Sequence, residues 1–377
     1  MGGSVTAITA GQIYNKIINK ENLFILDVRN NSEYEDWKIE GKTVESINAP
    51  YFELLDGLEE IMPKIPAGKE LLVVCAKEGS SKYIANMISE EGLEAKYLSG
   101  GMKTWSEYLH KSVIHEEENL KIAQFIRVGK GCLSYMITSG DEVVVIDPAR
   151  FTNVYAREAV TEDVTIKHVL DTHCHADHVS GGLNLATATN AKYYMMKADG
   201  AESNYIPLED VEAINFGQSN LKILTLKTPG HTPGSICFLL NDKYLFSGDT
   251  IFVNGLGRPD LGGMAEVWAK DLYKSVITKI SDLSDDILVL PSHCAEVHND
   301  INERNYIGTT LGHIRAISPL LNMSDESQFI STVLKNINKK QPPNFVDIIA
   351  ANRGTKEFTD EQVEEFEIGP NRCALQH

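Results

Sequence analysis

Apolar residues fall in short runs that end on polar or glycine-rich turns. Residues 23–28 (L-F-I-L-D-V), 71–74 (L-L-V-V) and 95–98 predict buried strands. Residues 33–37 and 82–91 predict helices, the second with Ile84, Met87 and Ile88 at helical spacing and Gly92 as its stop. A last helix of this series starts within L-S-G-G-M-K-T-W (98–105). Alternating strands and helices predict a parallel sheet with helices on both faces. Ligands in such sheets gather at the carboxyl ends of strands. A second series follows. Residues 120–128, 143–147 (V-V-V-I-D), Val169-Leu170, 221–226, 244–246 and 287–290 read as strands, and 183–188 as a helix opened by Gly181-Gly182. Beyond residue 320 the pattern thins to an amphipathic helix over 328–337, a break at Pro342-Pro343, and a helix over 344–354 stopped by Gly354.

This pattern divides the chain into an α/β domain over 1–112, a charged linker over 113–119, a second domain over 120–320 and a helical extension over 321–377. Two domains are the default for 377 residues. Hydrophobic content of 42% with 23% charged residues is ordinary for a globular protein. No apolar stretch is long enough to span a bilayer, so a membrane is not an expected partner. No basic residue precedes the first apolar positions, so no signal peptide is expected, and Met1–Ser4 read as incidental. A net charge of −18 argues against nucleic acid as a partner. The six cysteines are scattered without paired spacing, which predicts free thiols in a reducing, cytoplasmic setting. The oligomeric state, including a homo-oligomer, is left open.

The densest chemistry is T-H-C-H-A-D-H-V-S-G-G (172–182). It places His173, His175, Asp177 and His178 within six positions. An extended backbone would point His173 and His175 to one side. Asp177 and His178 would then sit on the turn before the helix, where imidazole and carboxylate can converge on a metal. His231 lies in T-P-G-H-T-P-G-S, Asp249 in S-G-D-T and His293 in P-S-H-C, each after an apolar strand. A single histidine after a strand is more often structural. Four such strand ends in one domain point to a metal centre. In the first domain Cys75 ends a strand and opens C-A-K-E-G-S-S. Backbone N–H groups and the positive end of the following helix favour a sulfur anion there. Gly79 is expected to let the loop curl, with Ser80 and Ser81 as donors. A lone cysteine is otherwise most often a packed apolar residue.

D-V-R-x-x-x-E-Y (27–34), the Cys75 loop and L-S-G-G-M-x-x-W (98–105) together resemble the rhodanese, or sulfurtransferase, domain. The resemblance implies that Cys75 carries a persulfide sulfur held by Lys77, Gly79, Ser80 and Ser81. W-K-I-E-G (37–41) stands where that family has G-H-I, and the loop has no arginine, so Lys77 or backbone must meet a donor's charge. The second domain resembles the metallo-β-lactamase superfamily, which implies a four-layer αββα sandwich. T-H-C-H-A-D-H and G-R-P-D-L (257–261) resemble the persulfide dioxygenases, and the domain pair resembles persulfide dioxygenase–rhodanese fusions, with the rhodanese domain first. That family implies one Fe(II) per chain on His173, His231 and Asp249, a ligand set that leaves positions open for dioxygen chemistry. His175, Asp177, His178 and His293 would stand behind it. The implied activity is oxidation of a low-molecular-weight thiol persulfide by O₂ to sulfite, with sulfur transfer through Cys75 giving thiosulfate. A glyoxalase II-type thioester hydrolase with two zinc ions on all seven residues is the alternative, and a non-enzymatic sulfur carrier or sensor a third. The fusion's glutathione-using relatives carry H-D-Y where this chain has His293-Cys294-Ala295, so coenzyme A, bacillithiol or cysteine persulfide fit at least as well. Cys294 and Arg258 are candidate substrate contacts. E-I-G-P-N-R-C-A (367–374) recurs in fusion members, and its Arg372 and Cys373 read as docking the terminus.

Overall fold

Five parallel strands form the first sheet, in the order Thr6–Ile8, Ala95–Leu98, Glu70–Val74, Leu23–Asp27, Val44–Asn48. The computed structural model describes residues 5–338 and 340–375, without the side chains of 221–226, so Met1–Ser4 lie outside the described residues. The chain divides into two compact units, Met1–His110 with Arg127–Lys130, and Lys111–Ile126 with Gly131–His377. In the first unit Leu71, Leu72, Val73 and Val74 are all buried, as expected of a central parallel strand covered on both faces. The helix Gly79–Glu90 turns Ile84, Ala85 and Ile88 onto the sheet and starts three residues before the apolar periodicity does. Asp27 and Arg29 end the strand Leu23–Asp27 as a buried ion pair, Nη2 to Oδ2 at 2.6 Å, and the same Nη2 donates to the carbonyl of Trp37 at 2.7 Å. Buried charges persist when paired in this way.

The second unit stacks two sheets. One has seven strands, in the order Ile206–Pro207, Lys192–Met195, Thr165–Leu170, Glu142–Ile146, Cys132–Ser139, Leu120–Arg127, Leu109–Glu117. The other has six, Ala213–Phe216, Ser219–Lys227, Ile236–Leu240, Tyr244–Gly248, Leu288–Pro291 and Thr309–Thr310. Tyr135 of the first meets Phe246 of the second edge-on, ring centroids 4.9 Å apart. Helices Ala265–Tyr273, Leu311–Ile317 and Glu326–Lys335 cover the six-stranded sheet through Leu272, Ile314, Phe329 and Val333 against Leu239, Leu245 and Val289. Helices Thr152–Thr161 and Gly182–Thr189 pack on the seven-stranded sheet. The expected helix–sheet–sheet–helix layering is present.

Most of the stretch expected as a linker, 113–119, is strand instead: Leu109–Glu117 forms the sheet edge, with Ser112 and Ile114 buried on either side of exposed Val113. Its charged glutamates mask an alternation that is typical of an edge strand. Among the described residues no helix is long and apolar enough to cross a membrane.

Candidate functional site

The strand ends Leu170, Lys227, Gly248 and Pro291 deliver His173, His231, Asp249 and His293 to one place. After Thr165–Leu170 the chain is irregular rather than extended, so His173 and His175 share a side through loop geometry, with ring centroids 4.2 Å apart. All seven expected residues of this group are buried.

Three of them form a set of opposed acceptors. Asp249 Oδ2 lies 3.6 Å from His173 Nε2 and 3.4 Å from His231 Nε2. None of these three buried atoms has a hydrogen-bond partner. The tautomers explain why. His231 Nδ1 must donate to the Arg258 carbonyl at 2.8 Å, which leaves Nε2 as a bare lone pair. The single proton of the Thr172 hydroxyl goes to Asp147 Oδ2 at 2.8 Å, so the hydroxyl accepts from His173 Nδ1 at 2.9 Å, again freeing Nε2. Burial, first of all, pushes both imidazoles below their ordinary value, for His173 well below it, with His175, His231 and His293 adding to the effect on His173. Two neutral imidazoles and a carboxylate aim lone pairs at a common point, an arrangement that a cation would satisfy. These three residues fit a metal ion.

Of the remaining residues, Asp177 and His178 are bonded to each other, while His293 Nε2 and His175 Nδ1 are also buried without a hydrogen-bond partner. His293 Nδ1 meets Asp249 Oδ1 at 2.6 Å, and its Nε2 lies 3.0 Å from Asp177 Oδ2 but out of line for a hydrogen bond. Asp177 Oδ1 holds His178 Nδ1 at 3.0 Å, and Oδ2 accepts from the Cys132 thiol at 3.1 Å. Burial opposes charge on His293 and His178, yet Asp177 and Asp249 hold His293 well above its ordinary value, and Asp177 with Cys132 raises His178 to about 10. His175 turns Nε2 toward Asp147 Oδ1 at 3.3 Å and keeps Nδ1 unpartnered. Cys132, Asp177, His178 and His293 could also group around an ion, but only by giving up these mutual contacts.

Asp147 was not a sequence candidate. Its carboxylate takes the Thr172 N–H at 2.7 Å, the Thr172 and Ser292 hydroxyls, and His175. It has φ 50°, a left-handed conformation forced at the end of the strand Glu142–Ile146. The Asp-Pro turn was its only sequence signal. The C-terminal extension was missed more widely. Asn352 Nδ2 donates to the carbonyls of His175 and His178, both at 2.8 Å. Glu367 accepts the Val179 N–H at 2.8 Å. Asn371 donates to the Cys294 carbonyl at 3.0 Å, and Cys373, expected only to dock the terminus, is buried among Asp249 and His293. Arg258 spends its donors on Asp260 and on the carbonyls of Asn338, Lys340 and Arg372. Cys294 is buried, and burial, with Asp300 next, raises its thiol well above the ordinary value.

In the first unit Cys75 follows Glu70–Val74 and faces the N-terminus of Gly79–Glu90. The Glu78 N–H donates to Sγ at 3.1 Å, and the Cys75 thiol donates to Ser81 Oγ at 3.1 Å. The curl expected at Gly79 falls on Glu78, at φ 98°. Its carboxylate fixes it there by accepting the Gly100 N–H at 2.7 Å. The Cys75 carbonyl accepts the Met102 N–H at 2.8 Å, which ties the loop to L-S-G-G-M. Lys77 is exposed and Ser80 half-buried. An anion on Sγ would gain from the Glu78 N–H and the helix end.

The metallo-beta-lactamase superfamily matches residues 127–293 and the rhodanese-like domain residues 9–108. The mitochondrial persulfide dioxygenase ETHE1 of Homo sapiens is 32% identical over 214 residues, covering 56% of this chain and 78% of that protein. A hydroxyacylglutathione hydrolase of Francisella tularensis subsp. novicida is 29% identical over 207 residues, covering 52% of this chain and 79% of its own. A solved metallo-beta-lactamase from Staphylococcus aureus subsp. aureus COL superposes with a TM-score of 0.56 at 32% identity, over 64% of this chain and 75% of that one. ETHE1 from Myxococcus xanthus does so with 0.54 at 27%, over 63% and 99%. With a rhodanese-like domain ahead of its metallo-β-lactamase-fold domain, the chain belongs to the persulfide dioxygenase family.

Proposed function

We propose that the second domain oxidises a low-molecular-weight persulfide to sulfite at a single iron, and that Cys75 of the first domain transfers sulfane sulfur to sulfite. The observation that carries the reading is the set of three unpartnered acceptors that face one another on His173, His231 and Asp249, beside a second group in which Asp177, His178 and Cys132 are bonded to one another and the unpartnered atoms are His175 Nδ1 and His293 Nε2. Iron(II) held by these three would supply open coordination positions and the one-electron chemistry that dioxygen requires, which zinc lacks. Thr172 and the Arg258 carbonyl keep both imidazoles in the tautomer that binds, and His293 fixes Asp249 through its other oxygen. Burial of the whole set excludes bulk water. The balance is R–S–S⁻ + O₂ + H₂O → R–SH + SO₃²⁻ + H⁺. Cys75 takes sulfur from a second persulfide, Cys–S⁻ + R–S–S⁻ → Cys–S–S⁻ + R–S⁻, and passes it on, Cys–S–S⁻ + SO₃²⁻ → Cys–S⁻ + S₂O₃²⁻. Lys77, Gly79, Ser80 and Ser81 form the loop for that sulfur. Six buried, unpaired thiols suit a reducing, cytoplasmic setting.

Metal analysis of the purified protein is expected to give about one iron per chain, and persulfide addition is expected to drive O₂ uptake. Two zincs without O₂ uptake would overturn the reading in favour of the hydrolase. Cys75→Ser should keep O₂ uptake and lose thiosulfate, and a loss of O₂ uptake in that variant would contradict the division of labour.

A further inference from the structure

A cavity of about 320 Å³ opens beside the metal triad, with His231, Cys174 and Ala176 at its wall. Its apolar sides come from Leu261 and Trp268 and, from the C-terminal extension, from Phe345 and Ile349 of the helix Phe345–Arg353. That helix lies beyond the residues matched by the superfamily, 127–293. Arg353 is the one lysine or arginine among the described residues lining the cavity. Its Nε is buried without a hydrogen-bond partner. Asp199 lines the same cavity; its carboxylate feels the Arg353 charge and accepts the N–H groups of Cys174 at 2.7 Å and Gly234 at 2.8 Å and the Thr232 hydroxyl at 3.2 Å, from the loops that carry His173 and His231. A guanidinium with a buried open donor, in an apolar cleft that reaches a metal ligand, is built to meet an anion.

We propose that the helix Phe345–Arg353 is the recognition wall for the thiol that carries the persulfide, and that Arg353 selects a carboxylate on that thiol. The inference rests on the reading of the adjacent metal site as the place of persulfide oxidation. The cavity is at the small end of ligand sites, which run from roughly 300 to 1,000 Å³. It suits a carrier of dipeptide or tripeptide size, and a nucleotide-bearing carrier would leave most of itself outside. The apolar walls take the carrier's backbone and stem, Arg353 takes its carboxylate, and the sulfur end is left toward His231. Asn352, the preceding residue, holds the His175 and His178 carbonyls, so the wall is fixed to the metal loop itself.

Trp268 gives a binding signal that needs no turnover. The intact protein, without dioxygen, is titrated with glutathione and with glutathione diethyl ester, and the fluorescence change is assigned to Trp268 by its absence in Trp268→Phe. The acid should bind about tenfold more tightly than the ester. Arg353→Gln should bring the acid down to the ester's affinity while leaving the ester unchanged, and Arg353→Lys should restore part of the difference. Equal binding of acid and ester by the wild type, or discrimination that survives Arg353→Gln, overturns the proposal. If Arg353→Gln loses the ester as well, Arg353→Lys carries the test, and equal binding there overturns it too. Acid-selective binding without O₂ uptake would leave Arg353 standing and remove the dioxygenase reading, whereas O₂ uptake without acid selectivity would do the opposite.

Discussion

The Thr172 hydroxyl has one proton and two neighbours that compete for it, Asp147 Oδ2 and His173 Nδ1. The carboxylate cannot donate, so the imidazole must, and this choice exposes His173 Nε2. Thr172→Val keeps the shape and removes the director. Metal affinity should fall by about 10–100-fold, as for other partners of metal-bound histidines, with little change in fold. Competition against a chelator measures it, and an unchanged affinity would remove Thr172 from the argument. That His173, His231 and Asp249 come together was legible in the sequence because each follows an apolar strand on a turn. Their tautomers were not, since the directing groups, Asp147 and the Arg258 carbonyl, lie 25 and 27 positions from Thr172 and His231. Residue type alone also could not separate Asp249, with one oxygen unpartnered, from Asp177, whose oxygens are taken by His178 and Cys132.

Between elements, the Cys75 loop and the helix Gly101–Glu107 are locked by close approach. A Cβ on Gly101 would lie 2.4 Å from the Cys75 carbonyl oxygen, and the residue sits at φ 64°. Gly101→Ala should cost about 2–4 kcal/mol from backbone strain and overpacking together. It should also slow sulfur transfer while leaving O₂ uptake untouched, as read by denaturant unfolding and thiosulfate formation. A second tie joins the end of the helix Thr152–Thr161 to two strands. Glu162 lies 2.7 Å from Lys121 and 3.0 Å from Lys111. Burial works against the Glu162 carboxylate, yet these lysines bring it down to about 2 from 4.5. A depressed carboxyl stabilises the fold above its unfolded value and loses that contribution as pH falls from 4.5 toward about 2. Glu162 is half-buried at the surface, where solvent screens part of the interaction, so the effect is modest. Glu162→Gln should be less stable than wild type near neutral pH and lose that deficit toward pH 2, and parallel curves would refute the tie. Strands and helices with uniform apolar runs were readable in advance. Leu109–Glu117 was not, because its buried positions are Ile114 and polar Ser112, apolar Val113 faces out between them, and the glutamates that follow read as a linker.

On the scale of the whole chain, the Cys75 loop and the group of His173, His231 and Asp249 sit in two compact units, and the C-terminal extension was the part least visible beforehand. Its apolar content is sparse, and its role depends on Asn352, Glu367 and Asn371 reaching backbone groups more than 70 residues away in sequence. In the proposed reaction the two units are joined by sulfite, a small free dianion, and a chain of net charge −18 has no general attraction for it. Sulfite made in one molecule should therefore reach Cys75 of another. Cys75→Ser retains the candidate metal ligands His173, His231 and Asp249, and Asp249→Asn retains Cys75 while removing the carboxylate of that group. Each variant alone should fail to make thiosulfate from persulfide and O₂, the first accumulating sulfite and the second consuming no O₂. Mixed in equal amounts they should make thiosulfate, at a rate that rises with the amount of Asp249→Asn protein until sulfite supply limits it. If sulfite instead accumulates in the mixture while persulfide-loaded Cys75 is present, then Cys75 does not hand its sulfur to sulfite, and the first unit must serve a different acceptor.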